Sequence, residues 1–198
     1  MIMRLKQMSL VSLVFILTGC GVQSIPKAKN SVEASLAEVT NQYKRRADLI
    51  PNLVKTVKGY ASHEKQTLEA VVNARAKATQ VKVDPSKLSA TQIQKFQASQ
   101  GELSQALGRL MVVAERYPNL KADQNFRDLQ AQLEGTENRI TVARNRYIET
   151  IKRFNDLVGV FPTNLTNSIF FHYEKMPQWS VSEGEAEAIK KAPEVDFE

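Results

Sequence analysis

The chain has 198 residues, 27 Lys and Arg against 21 Asp and Glu (formal net charge +6), one cysteine, two histidines, eight glycines and seven prolines. One cysteine excludes a disulfide framework and a multi-cysteine metal centre. The scarcity of glycine and proline, with no β-branched runs in period two, argues against a sheet protein, so the fold class is all-α.

Residues Met1 to Lys6 carry Arg4 and Lys6, and Met8 to Leu17 is apolar apart from Ser9 and Ser12. That run is about half the roughly 20 residues needed to span a bilayer, so it reads as the core of a signal peptide. Leu17-Thr18-Gly19-Cys20 resembles the lipobox of bacterial lipoproteins. There the cysteine thiol receives a diacylglyceryl group, the peptide is cut before it, and the new amine is acylated. Residues 1–19 are thus expected to be removed, with Cys20 as the lipid-attachment site and its diacylglyceryl and N-acyl chains as the only added groups. Gly21 stands where the general lipoprotein sorting rule reads Asp as retention, which favours the periplasmic leaflet of an outer membrane where the organism has one. Losing residues 1–19 takes away two basic side chains and lowers the net charge from +6 to +4. For an exported protein, anionic lipid or cell-wall polymer is the expected counter-charge, not nucleic acid.

Residues 20–30, polar and containing Pro26, read as a tether between lipid and bundle. The bundle is expected over 31–179. Asn30 or Ser31 can cap a first helix running to about Val81. Its stripe is Leu36, Val39, Tyr43, Ala47, Ile50, Val54, Val57 and Ala61, spaced three or four residues apart, followed by Leu68, Val71 and Val72. Pro51 lies inside it, lacks the N–H that would bond the Ala47 carbonyl, and costs about 3 kcal/mol against alanine in an ideal helix. Because the apolar phase is kept on both sides, the expectation is a bend near Pro51 and not a stop. Lys44, Arg45, Arg46, Lys55 and Lys58 are read as lying off the stripe. With Asn52 and His63 they form the surface most worth testing for a partner or for lipid.

A second helix is expected from Ser89, whose S-x-x-Q pattern with Gln92 looks like a capping box, to a stop at Pro118. Polar Gln100 fills a gap in its seam. The third starts near Asp123 and repeats Phe126, Leu133, Ile140, Tyr147 and Phe154 every seven residues, with Leu129, Ala143 and Leu157 as companions and Gly159 as C-cap. Heptads of this kind predict shallow packing angles of about 20°, hence an elongated antiparallel bundle of three long helices. A short fourth helix between Pro162 and Trp179 is expected to fold its Leu165, Ile169, Phe170, Phe171 and Tyr173 back onto it. Residues 180–198 read as a mobile acidic tail, apart from docking by Val195 and Phe197.

Three segments carry a family resemblance. YKRRADLIPNLVKTVKGYASHEKQTLEAVVNARAKA (Tyr43 to Ala78) is similar to the signature segment of the LemA family of bacterial envelope proteins. The likeness continues through RNRYIETIKRFNDLVGVFP (Arg144 to Pro162) and APEVDF (Ala192 to Phe197). It implies a helical bundle held at a membrane by its N-terminus and implies no reaction, since no general activity is established for the family. One departure stands out: relatives usually place a glycine between aromatics where this chain has Phe170-Phe171-His172.

No catalytic set is expected. His63-Glu64 is followed by Thr67 where a metalloprotease motif requires a second histidine, and Gly101 and Gly108 stand alone without a phosphate-binding pattern. The favoured reading is a non-catalytic, lipid-anchored scaffold or adaptor for an envelope protein or for another copy of itself, without metal, nucleic acid or small-molecule substrate. The alternatives are direct binding of anionic lipid by Lys44 to Arg46, with membrane remodelling, and an accessory subunit of an envelope protease or transporter.

Overall fold

Residues 22–85 and 88–179 are described by the structure, a computed structural model. Among them are six α-helices, one π-helical turn and no strand. The helices are α1 (Ser24–Tyr60), α2 (Lys65–Gln80), α3 (Ala90–Ala114), α4 (Pro118–Ala122), α5 (Gln124–Gly159) and α6 (Thr163–Thr166), and the π turn is Asn167–Phe171. The leader, Cys20, Gly21 and residues 180–198, with Val195 and Phe197, lie outside the described residues.

The N-terminal tether expected over 20–30 is helical from Ser24. Pro26 does not prevent this, because the first N–H groups of a helix have no intrahelical partner and a proline there forfeits nothing. Ile25 and Ala28 are buried, so this first turn already belongs to the core.

The single helix expected to reach Val81 is two. α1 ends at Tyr60, residues 61–64 turn, and α2 begins at Lys65. Ala61 and Leu68 stand seven residues apart, so the apolar phase passes through the turn unbroken and hides it. Glu64, just before α2, is held from α3's end: Arg116 Nη2 and Tyr117 Oη both donate to its Oε1, at 3.0 and 3.1 Å.

Pro51 lies within α1, which continues through it. The carbonyl it leaves open, that of Ala47, accepts from Arg75 Nε of α2 at 2.7 Å. The missing backbone bond is thus replaced from another helix, as a buried carbonyl demands.

The starts of α3 and α5 follow the sequence, whereas Asn30 and Ser31, expected to cap the first helix, lie inside α1. Ser89 caps α3 by accepting from Gln92 N at 3.2 Å, and Asp123 Oδ1 accepts from Phe126 N at 2.9 Å at the head of α5. Pro118 does not simply stop a helix: α3 has already ended at Ala114, and Pro118 opens α4 at its first position, where proline fits best. Gly159 ends α5 without a left-handed cap, since no described glycine has a positive φ. The chain instead continues in right-handed turns, with Val160 N bonding Asp156 O at 2.9 Å.

The described residues group into two compact units. One holds 22–41, Pro85 and 140–178, with Ile25, Val32, Leu36, Tyr147, Ile151 and Phe154 fully buried. Within it Ser35 and Thr150 share a hydrogen bond of 2.7 Å, and Arg146 Nη1 reaches Glu38 Oε2 at 2.7 Å. The other holds 42–84, 88–139 and Trp179 and packs Ile50, Leu53, Val57, Leu103, Leu110 and Leu120 at its centre. Both α1 and α5 supply residues to each unit.

The last apolar segment meets expectation in part. It forms α6 and the π turn, and Tyr173 folds back with its ring 6.1 Å from that of Phe154 and stacked on Phe171, but Leu165, Ile169 and Phe170 stay 52%, 62% and 59% exposed instead of folding inward. The reason is local. Asn167 turns the chain back by accepting from Tyr173 N at 3.0 Å and donating to its carbonyl at 2.9 Å. His172 sits between in the left-handed region with φ 56°. That fold buries Asn167 and leaves the apolar side chains outside.

Candidate functional site

The stretch from Gln42 to Glu64 carries the seven residues singled out from the sequence, and the structure divides them. Lys44, Arg45, Asn52, Lys55, Lys58 and His63 are exposed. At 100° per residue, Lys44, Pro51, Lys55 and Lys58 fall on one face of α1, with Arg45 and Asn52 along its flank. His63 lies in the turn that follows.

Arg46 is not part of that surface. It is 3% exposed, and its guanidinium is a hub inside the second unit. Nη1 donates to Ser104 Oγ at 2.9 Å and to Glu137 Oε2 at 3.0 Å. Nη2 donates to the Gln100 side-chain oxygen at 2.9 Å and to the Gln100 carbonyl at 3.2 Å. The Tyr43 ring covers it, 4.9 Å from Cζ to centroid, and Nε alone lacks a protein partner. Gln100 extends the network by donating Nε2 to the Ala78 carbonyl at 3.2 Å, so one amide ties α1 to both α2 and α3. A buried cation is tolerable only when its donors are met in this way.

The burial of Arg46 was readable. Val39, Arg46 and Leu53 stand seven apart, and Arg46, Ile50, Leu53 and Val57 follow four-three-four spacing, so Arg46 occupies a core row. Gln100, the polar gap in the α3 seam, is its complement. Thr136, also buried, bonds back to the Gln132 carbonyl of its own helix at 2.7 Å.

Beside the hub an open cleft of about 310 Å³ is lined by Arg46, Ser104, Leu107, Met111, Leu133 and Glu137. Its only described cation, Arg46, is already bonded to Glu137 and Gln100, and Gln130 and Glu134, which also line it, share a hydrogen bond of 3.0 Å. No cluster of three or more His, Cys, Asp or Glu among the described residues could hold a metal ion. Among them, too, no helix is long and apolar enough to cross a membrane.

At the turn, Tyr60 Oη donates to Asp123 Oδ2 at 2.9 Å. The Phe126 N–H, then the Tyr60 hydroxyl, hold the Asp123 carboxyl below its ordinary range. The same bond raises Tyr60. These contacts fasten the α1 end to the α5 start and carry no reactive arrangement.

Compared with known proteins, residues 35–197 match the family model described as the LemA family. No curated protein matches the chain.

Proposed function

The chain belongs to the LemA family, and from that premise we propose that it is a non-catalytic, lipid-anchored protein of the cell envelope that holds a partner protein, or another copy of itself, at the membrane. In this reading Cys20 carries the lipid, the protein faces outward from the cytoplasm, and the exposed face Lys44, Arg45, Asn52, Lys55, Lys58 and His63 docks the partner. Antiparallel packing of the long helices and a bend of α1 near Pro51 belong to the same proposal. The bend is supported by the Ala47 carbonyl's bond to Arg75.

One observation carries the reading: the Arg46 guanidinium, the Gln100 amide and Arg75 Nε of the second unit are spent on bonds between helices, while the basic side chains of α1 stand outside on one face. Arg46, Gln100, Ser104 and Arg75 hold helices together. A site for chemistry needs polar groups that converge on a vacant space.

The burial of Arg46 also weighs against direct binding of anionic headgroups by Lys44 to Arg46. One of that cluster's three charges is turned inward, and α1 offers only the other two there.

The test is crosslinking in intact cells with Lys55→Glu/Lys58→Glu and, as control, Lys95→Glu on α3, another exposed lysine. Loss of the crosslinked species in the double variant alone is the expected result. An unchanged crosslinking pattern in both sinks the docking face.

A further inference from the structure

The first unit ends in an apolar ridge that stands exposed among the described residues. Phe161 lies in the turn that leads into α6, Leu165 within α6 and Ile169 in the π turn that follows, so one short stretch of chain presents all three. They are 70%, 52% and 62% exposed, with Val160 and Phe170 beside them at 57% and 59%. Contiguous exposure of this kind marks a surface made for contact.

Its place in the unit says which contact. Ser35 meets Thr150 and Glu38 meets Arg146, so each step toward the start of α1 is matched by a step toward the end of α5. Carried on at that register, Ser24 and Ile25 stand level with Val160 and Phe161. The Lys29 ammonium over the Tyr173 ring, 5.4 Å from its centroid, ties the same end together. Cys20 precedes Ser24 by four residues, at most about 14 Å of extended chain. Whatever layer holds a lipid on Cys20 therefore lies within reach of the ridge.

The rim suits that layer. An open cleft of about 780 Å³ beside Phe161 is lined by Glu149, Lys152, Arg153, Asp156, Leu157 and Val160. Lys152 is paired with Asp156 at 2.9 Å. Arg153 is exposed, and Lys175 crosses Gly159, its Cε 2.7 Å from where a Cβ would stand. Aromatic and aliphatic side chains with flanking cations are what an amphipathic segment needs to lie about 5–10 Å into the boundary between headgroups and acyl chains.

We propose that Val160, Phe161, Leu165, Ile169 and Phe170 insert into the interfacial layer of the bilayer that holds Cys20, giving the protein a second lipid contact beside its anchor. The inference rests on the lipid-anchored reading above. It adds orientation: the first unit meets the membrane end-on, through its α5–α6 corner.

The full-length protein, purified from membranes and checked by mass spectrometry for acylated Cys20, is reconstituted into phosphatidylethanolamine–phosphatidylglycerol vesicles with brominated acyl chains. In a Trp179→Phe background, Phe161→Trp and Phe170→Trp report on the ridge and Val112→Trp, exposed on α3, is the control; circular dichroism confirms that each variant keeps its helix. The expected result is blue-shifted, bromine-quenched emission from the first two and none from the control. Emission from both ridge variants as unquenched as the control, on acylated protein, overturns the inference and leaves the anchor standing. A blue shift without bromine quenching means another copy of the chain covers the ridge, and also overturns it. Unacylated Cys20 in membrane-derived protein overturns the anchor reading separately, by a different measurement.

Discussion

Arg46 and its exposed neighbours Lys44 and Lys55 share a helix and a charge and differ only in which side of α1 they occupy. Removing the buried guanidinium strands the Gln100 acceptors, while its charged partner Glu137 is half exposed, so the cost is about 1–3 kcal/mol, whereas a surface substitution stays within about 0.5 kcal/mol. Arg46→Met is therefore expected to lower the denaturant midpoint strongly, with Lys44→Met and Lys55→Met near wild type. Arg75 offers a sharper test, because it donates to the Ala47 carbonyl that Pro51, with no N–H, leaves open. Arg75→Met should cost about 1–2 kcal/mol. In a Pro51→Ala background the local N–H returns and the cost should shrink, giving a coupling of at least about 0.5 kcal/mol in a double-mutant cycle. His172, left-handed at φ 56°, is where a side chain is strained. His172→Gly should stabilise by about 1 kcal/mol in denaturant unfolding. Tyr147 is buried and its hydroxyl is pushed up to about 12 by desolvation. A folded pKa above the unfolded value of about 10 means that its contribution is complete below pH 10 and lost as pH rises toward 12, roughly 2–3 kcal/mol in all. Alkaline titration of Tyr147→Phe should show a shallower loss over that window.

At the scale of elements, the sequence reveals periodicity and caps better than it reveals turns. Ser89 and Asp123 announce α3 and α5 because a cap is a local bond between a side chain and an N–H two or three residues on. The division between α1 and α2 is invisible to such reasoning. Ala61 and Leu68 keep the heptad phase, no proline or asparagine marks 61–64, and what holds the turn is Glu64's bond to Arg116 and Tyr117, more than 50 residues away. Tertiary partners decide such a point, and periodicity does not encode them. The basic face was legible residue by residue except at Arg46, where the seven-residue spacing from Val39 and to Leu53 was the available signal and charge was the misleading one. Exposure of Leu165, Ile169 and Phe170 was likewise hidden, since an apolar segment reads the same whether it packs on protein or on something else. Glu64→Ala removes the acceptor for two donors and should cost about 1 kcal/mol. Proteolysis at 61–64 should accelerate in that variant, while Glu69→Ala, exposed on α2, should not change it.

For the whole molecule, two compact units are threaded by the same two helices, α1 and α5. Helices are cooperative along their length, so loosening one unit withdraws support from the other. Thermal unfolding followed by Trp179 fluorescence in one unit should coincide with far-ultraviolet dichroism, which reads both. Leu53→Ala, expected to cost about 2–5 kcal/mol, should shift both curves together. The Ala47 carbonyl bears on how such a molecule assembles. α1 cannot close its own ladder at that rung, because the donor arrives from α2, 28 positions later along the chain. That rung is therefore satisfied from within the protein only once α2 is in place, so a proline in one helix makes the next helix part of its own completion.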